Sequence, residues 1–465
     1  MFVYISHRYF ARGERTNRDM PRGEHGVAHQ IKRNRMRDKI EEDTAFQTGD
    51  GCANQARICF VVPIIPPQYS GAGLRAYRYA SRLHQKERLA FIVTERTVVH
   101  EDAPENLLQV LMDVPEQKIF RVPRRPFKRR YYARMAQQHR ISFLFQSVVL
   151  FFSLLLVLLR RHREYDVIFC FTASQLPQYA ALIGTFLHKK VVITSTQLGG
   201  DDPWALCHET HGVRRRFHSL VLARANAYIS ISRPVTEACE KAMMPSAKVW
   251  EIPNPVDTCV FAPCADDERA SLRDDLGIDN DVFAVLFVGS IIARKGVDLA
   301  VEALGQLTDI FPRVELFLVG SSSSTAHGDV QFVSQLRRRI SELGIDNRVR
   351  FIGVVGNVPV WMKACDAFVF PSRSEGFGTV LVEAMASGLP VVTGELRGIA
   401  HTVINHGEDG YIVDYTADAI ASTIRRLCDD VETRRRISEN AVKSARERFS
   451  IGVIDAQYDC VYASI

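Results

Sequence analysis

What the chain has little of narrows its function first. Its ten cysteines are scattered, with no C-x-x-C pair and no zinc-like spacing, so they read as buried thiols of a reducing compartment rather than a disulfide or zinc scaffold. Residues 1–20 lack the apolar core of a secretory signal, and export is not expected. The formal net charge is only +6 over 465 residues, so the total implies no nucleic-acid partner. Two nearby histidines, His208 and His211 in C-H-E-T-H, are too few to define a metal site, and no metal is expected. The first 55 residues mix charges without periodic apolar positions and read as a flexible tail.

What is present is ordinary folded-protein material: 46% hydrophobic and 24% charged residues, in a chain long enough for two or three domains. One stretch stands apart. Ser142 to Leu159 is almost wholly apolar and approaches the length of a membrane-spanning helix. Residues 121–140 before it carry eight arginines and lysines and no acid, interleaved with Phe127, Tyr131 and Tyr132. Arg160, Arg161 and Arg163 follow it. Positive charge on both flanks opposes a simple span, because orientation follows an asymmetry of such charge. The run D-V-I-F-C-F then reads as a core strand, so a span would split a domain. The expectation is a buried helix or a monotopic one touching anionic lipid, ahead of a true span: a cytoplasmic protein, with peripheral membrane contact in the monotopic case.

From Arg57 onward apolar strands and helical segments alternate. Strands are predicted at Ile58–Val62, Leu89–Thr94, Val167–Phe171, Val191–Thr194 and Ala227–Ile231. Gly71 and Gly73 open the first helix. The prolines of V-W-E-I-P-N-P-V-D interrupt the pattern, and a second alternation begins at Val282. Right-handed crossovers then imply two doubly wound α/β units of similar size. They would face each other across a cleft, where ligands are favoured. The predicted partition is a tail (1–55), a first domain (56–255), a second (256–445) and a terminal helix packing back on the first (446–465).

Chemistry concentrates in the second unit. The run Ala367–Phe370, closed by Pro371, reads as a buried strand, and Thr379–Ala386 as a helix stopped by Gly388 and Pro390. Between them lies E-G-F-G, with Glu375 before the helix start and Glu383 one turn inside it. Amides of Gly378, Thr379 and Val380 at a helix start suit an anion, while two carboxylates suit hydroxyl donors. A sugar nucleotide offers both. Gly289-Ser290 ends an earlier strand, and Arg294-Lys295-Gly296 follows at the same predicted sheet edge, able to neutralise a diphosphate. Asp279-Asn-Asp281 precedes its strand rather than following one, so a turn is expected there instead of a metal site.

Together these motifs resemble the retaining glycosyltransferases of family 4, of GT-B fold: two Rossmann-like domains facing across a cleft. The resemblance spans about Ala56 to the C-terminus. It implies that Arg294 and Lys295 hold the donor diphosphate, Glu375 contacts the donor sugar and Glu383 the nucleotide ribose. Gly353 to Val358 would flank the base. Amides at Gly378, Thr379 and Val380 would hold phosphate, Gly289, Ser290, Gly376 and Phe377 would join the donor site, and Gly71 and Gly73 would let the first domain approach it. The leaving diphosphate would help deprotonate the acceptor, with no cofactor or metal beyond the nucleoside-diphosphate sugar itself. The chain departs from the family in one place. Many members carry a histidine after the fourth strand of the first domain, where this sequence reads T-S-T-Q-L-G-G-D-D-P-W. Gln197, Asp201 and Asp202 are candidate sugar or acceptor contacts, although the stretch reads equally as a turn. The implied activity is hexose transfer to a glycan or lipid-linked acceptor. The alternatives are an epimerase or hydrolase on the same fold, or a non-catalytic nucleotide-binding scaffold.

Overall fold

The alternating apolar runs assemble into two wholly parallel sheets. The computed structural model describes residues 56–63, 65, 71–95, 114–122, 140–208, 212–308, 310–311, 313–322 and 330–465. The first sheet holds β1 (Ile58–Val61), β2 (Leu89–Glu95), β3 (Ile119–Val122), β4 (Val167–Phe171), β5 (Lys190–Thr194), β6 (Ala227–Ser230) and β7 (Val249–Glu251). Its order is β3-β2-β1-β4-β5-β6-β7. The second holds β8 (Phe283–Val288), β9 (Val314–Val319), β10 (Val349–Gly353), β11 (Ala367–Phe370), β12 (Val391–Thr393) and β13 (Tyr411–Ile412), in the order β10-β9-β8-β11-β12-β13. Each strand order reverses once, between β1 and β4 and between β8 and β11. Such switch points open a crevice at the carboxyl ends of the strands. The two doubly wound α/β units expected from the sequence are present.

Parallel strands covered on both faces should be apolar throughout, and β1, β4, β6, β9 and β11 are buried at every position. In the first sheet one face packs against α1 (Gly71–Gln85) and the last helix, Ile451–Ser464. The other packs against α2 (Arg140–Arg160), α3 (Gln175–Phe186), α4 (Pro203–His208) and α5 (Gly212–Arg224). The last helix is tied to α1 by a Tyr79–Tyr462 hydroxyl contact of 2.8 Å. Asp455 adds ion pairs to Arg82 at 3.0 Å and to Lys86 at 3.1 Å. The chain passes between the sheets twice at one place, where the Val256 amide donates to the Phe449 carbonyl at 2.8 Å. Among the described residues no helix is long and apolar enough to cross a membrane.

Three elements depart from the sequence reading. The segment at Val249–Glu251 is a strand as well as the approach to the proline-rich linker. β3 has no counterpart among the expected strands, because Ile119–Val122 is a four-residue edge strand with a polar arginine inside it. β13 has only two residues. Edge strands need bury only part of their surface, so their apolar signal is weak.

Candidate active site

At the switch point of the second sheet the loops after β8 and β11 are neighbours, and their side chains meet. Lys295 ends a short 3-10 turn, Ala293–Lys295, and is 3% exposed. Its ammonium lies 2.6 Å from the Glu375 carboxylate and 4.8 Å from the Phe370 ring centre. Arg294 reaches the same oxygen at 3.0 Å, and the Ser372 hydroxyl donates to it at 2.6 Å. Burial pushes the Glu375 carboxyl up, but Lys295, Arg294 and the hydrogen bonds from Lys295 and Ser372 outweigh it, holding Glu375 below its ordinary range. Glu375 is therefore an ionised acid that aims two cations at one point of the crevice.

The backbone fixes this arrangement. Gly296 has φ +71°, and a Cβ there would sit 2.0 Å from the Pro371 carbonyl oxygen, so no side chain is accommodated. The Arg373 amide donates to the Arg294 carbonyl at 2.8 Å, fastening one loop to the other. Gly378, with φ +78°, is the N-cap of the helix Thr379–Ala386; its carbonyl accepts from the Leu381 amide at 2.8 Å, so the amides that precede Leu381, at Thr379 and Val380, open the helix towards the crevice. Gly289, Gly320 and Gly353 stand side by side at the ends of β8, β9 and β10. A Cβ on Gly320 would lie 1.8 Å from the Gly289 carbonyl oxygen. The Gly320 amide donates to Gly353 at 2.7 Å. Gly320 is absent from the sequence-predicted site; its signal is the V-E-L-F-L-V-G strand ending like V-F-A-V-L-F-V-G. Ser290 is buried at the end of β8, and Val358 opens the helix Val358–Ala364.

Glu383 lies in the first turns of the helix after Gly378 and is buried. Burial pushes its carboxyl up to about 7, with the Arg78 guanidinium opposing. The raised folded value means its contribution to stability is whole below the ordinary carboxyl range and is lost as pH rises through about 7. We expect Glu383→Gln to remove a pH-dependent loss of up to about 3 kcal/mol. Melting temperatures at pH 5 and pH 8 check this: the parent should fall more steeply than the variant, and equal falls would contradict it.

The first domain contributes its own loop. A Cβ on Gly376 would lie 2.4 Å from the Thr196 carbonyl oxygen, so the E-G-F-G turn abuts the loop after β5 backbone to backbone. The Ser232 hydroxyl donates to the Gly376 carbonyl at 3.2 Å, and Asn254 in the linker donates to the Thr379 hydroxyl at 3.1 Å. Phe377 is buried, its ring centre 6.0 Å from Phe449. Asp201 accepts from the Thr196 amide at 2.9 Å, the Gln197 amide at 2.8 Å and the Thr196 hydroxyl at 3.0 Å. Asp202 accepts from the Gly199 amide at 2.6 Å and from Ala205 at 3.0 Å, at the start of α4. Both carboxylates thus hold the turn together, the turn reading of Gly199–Pro203, and Asp201 shapes the loop that meets Gly376. Gln197 stays at that edge. Gly71 and Gly73 lie in the first turn of α1, while the loop at 66–70 is outside the described residues. His208 stacks on Trp204 at 3.5 Å, and His211 falls outside the described residues. Asp281 pairs with Arg313, and the Val282 amide closes on the Asp279 carbonyl at 3.1 Å, as a turn does.

Arg75 escapes the sequence reading. It follows Gly71-Ala-Gly-Leu on α1, with its guanidinium 5.2 Å from the Phe171 ring centre at the switch point of the first sheet. Burial lowers it to about 10, with Tyr458 and Asp201 opposing.

Two parallel doubly wound sheets, with the loop after β11 of the second lying against the loop after β5 of the first, define the GT-B architecture. Residues 268–444 match the family model for glycosyl transferases group 1. It is 28% identical over 267 residues to the alpha-D-kanosaminyltransferase of Streptomyces kanamyceticus, covering 57% of this chain and 64% of that one. It is 33% identical over 212 residues to the D-inositol 3-phosphate glycosyltransferase of Corynebacterium glutamicum, covering 44% and 49%. The chain thus spans about half to under two thirds of these curated relatives. The structure of Anabaena HepE in complex with UDP superposes with a TM-score of 0.69 at 23% identity, covering 88% of this chain and all of that one, a likeness of fold.

Proposed function

We propose that this chain transfers a hexose-type sugar, with retention, from a nucleoside-diphosphate sugar to a glycan or lipid-linked acceptor. The observation that carries the reading is the convergence of Lys295, Arg294 and Ser372 on Glu375 beside the helix start at Gly378. A diphosphate entering there meets two cations and the helix amides. As the sugar–phosphate bond breaks, negative charge grows on the leaving oxygen and the sugar becomes oxocarbenium-like. Cations and amides already aimed at that oxygen stabilise the charge without reorganising. Glu375, kept ionised, accepts hydrogen bonds from sugar hydroxyls, and Glu383 accepts them from the ribose. Gly353 to Val358 flanks the base.

Both carboxylates of the loop after β5, Asp201 and Asp202, are taken up by backbone amides. The leaving diphosphate takes the acceptor proton on the face where the new bond forms, which yields retention and requires no metal. Gln197 on the loop held by Asp201 is the acceptor-side contact. Curated relatives named as transferases include the lipopolysaccharide core mannosyltransferase LpsB of Rhizobium meliloti, which favours transfer over epimerisation or hydrolysis. The setting is glycoconjugate or polysaccharide synthesis, at the cytoplasmic face of a membrane.

Product analysis tests the reaction class. With donor and acceptor present, proton NMR should show a glycoside of the donor's own anomeric configuration, formed equally well in excess chelator. An inverted product, a requirement for added divalent metal, or sugar released without acceptor would each contradict it.

A further inference from the structure

The first sheet has a switch point of its own, between β1 and β4, where an open α/β sheet takes a ligand at the carboxyl ends of its strands. The donor site lies at the other one. Arg75 stands here. It is partly buried on α1, with its guanidinium 5.2 Å from the centre of the Phe171 ring that ends β4. Among the described residues no hydrogen bond or ion pair reaches that guanidinium, although Arg82, further along α1, pairs with Asp455 at 3.0 Å. Asp201 and Tyr458 oppose its burial from a distance, but the Asp201 oxygens are occupied by the amides of Thr196, Gln197 and Ala173. The residue after Phe171 is held in an unusual conformation. Thr172 has φ +80°, which a β-branched residue adopts only when its surroundings impose it, and such strain collects at functional sites. Its hydroxyl meets that of Ser174 at 2.9 Å, and Ser174, just before α3, makes no capping bond to that helix.

A guanidinium stays charged in proteins, and taking a charge out of water without a partner is unfavourable. An anion docking beside Arg75 relieves that cost, and the planar fork of arginine matches the two oxygens of a phosphate or a carboxylate. The donor diphosphate already meets Lys295, Arg294 and the helix start at Gly378. Arg75 belongs by position to the other substrate, because Asp201 beside it also shapes the loop that carries Gln197. Arg78, three residues on, opposes the shift of Glu383, so this side of α1 faces the donor helix. We propose that Arg75 binds an oxyanion carried by the acceptor, a phosphate or a carboxylate group. The Thr172 and Ser174 hydroxyls at the same strand end are further donors to it. Resting on the transferase reading, this makes the acceptor an anionic sugar or glycan and gives each domain its own cationic subsite.

Titration calorimetry of the full chain with glucose, glucose 6-phosphate and glucuronate tests this. At least one charged sugar should bind the parent at least about tenfold more tightly than glucose, and which one does so distinguishes phosphate from carboxylate. Arg75→Met keeps a chain over Phe171 and should lose that tenfold preference. It should melt no lower than the parent, because it removes a partly buried cation that makes no bond to a described residue; a purely structural arginine would leave a less stable protein. Arg75→Lys keeps the charge without the fork and should bind the charged sugar at least about threefold more weakly, which serves if the methionine variant does not fold. Lys295→Ala should bind the charged sugar as the parent does, and Arg75→Met should bind UDP as the parent does. These two controls separate a failure here from a failure of the donor site. The proposal is overturned if neither charged sugar binds better than glucose, or if both Arg75 variants bind it like the parent. It is also overturned if Lys295→Ala abolishes that binding, or if Arg75→Met loses UDP, since the anion would then belong to the donor.

Discussion

Lys295→Ala should reduce sugar transfer by at least a hundredfold in kcat while leaving a folded protein. Lys295 sits beneath Phe370 with its ammonium on Glu375, almost wholly withdrawn from water. A buried donor aimed at a developing oxyanion contributes about 10²–10³ in rate, because no solvent screens it and nothing reorganises. Removing one partner of a buried ion pair usually destabilises by about 3–5 kcal/mol. Here Arg294 and Ser372 still hold the same carboxylate oxygen, so the loss should fall below that range. Initial rates together with a thermal melt separate the two effects. A folded variant that turns over within a few-fold of the parent would sink the assignment of Lys295.

Gly376→Ala should cost about tenfold to a hundredfold in kcat with little change in melting temperature. The added carbon would stand 2.4 Å from the Thr196 carbonyl oxygen, so the two loops must separate by about an ångström. A displacement of that size between reacting groups is enough for a hundredfold loss. Gly407 provides the control. It has positive φ, +79°, but a Cβ added there would meet no atom within 4 Å, so Gly407→Ala tests backbone strain without the clash. Gly407→Ala should lower stability and spare kcat. If both variants kept full kcat, the approach of the two loops would have no part in transfer.

The elements that position the site were legible because each obeys a local rule. Ala367–Phe370 is apolar at every position and ends at a proline, and it is a strand over those four residues. Thr379–Ala386 has helix formers between a glycine start and a glycine stop, and it is a helix over those eight. Long-range pairing was less legible. Nothing near Glu375 in sequence says that its first partners are cations some eighty residues earlier, or that Ser372 shares its oxygen. Asp201 and Asp202 read equally as sugar or acceptor contacts and as parts of a turn, and amides of that loop occupy them. Whether a carboxylate closes its own turn depends on backbone geometry that composition does not encode. Arg75 reads as one more surface arginine of an amphipathic helix until β4 brings Phe171 beneath it. The apolar run of α2 announced a helix, but which stripe stays exposed depends on the sheet it packs against.

The central claim is that Lys295, Arg294 and Glu375 form a diphosphate site beside the helix start at Gly378. Titration calorimetry with UDP, GDP and ADP, on the parent and on Lys295→Ala, tests it most directly. At least one nucleoside diphosphate should bind the parent, and the same one should bind Lys295→Ala at least about tenfold more weakly, a difference of about 1.4 kcal/mol or more. Equal affinity in both proteins, or no binding of any of the three to the parent, would contradict it.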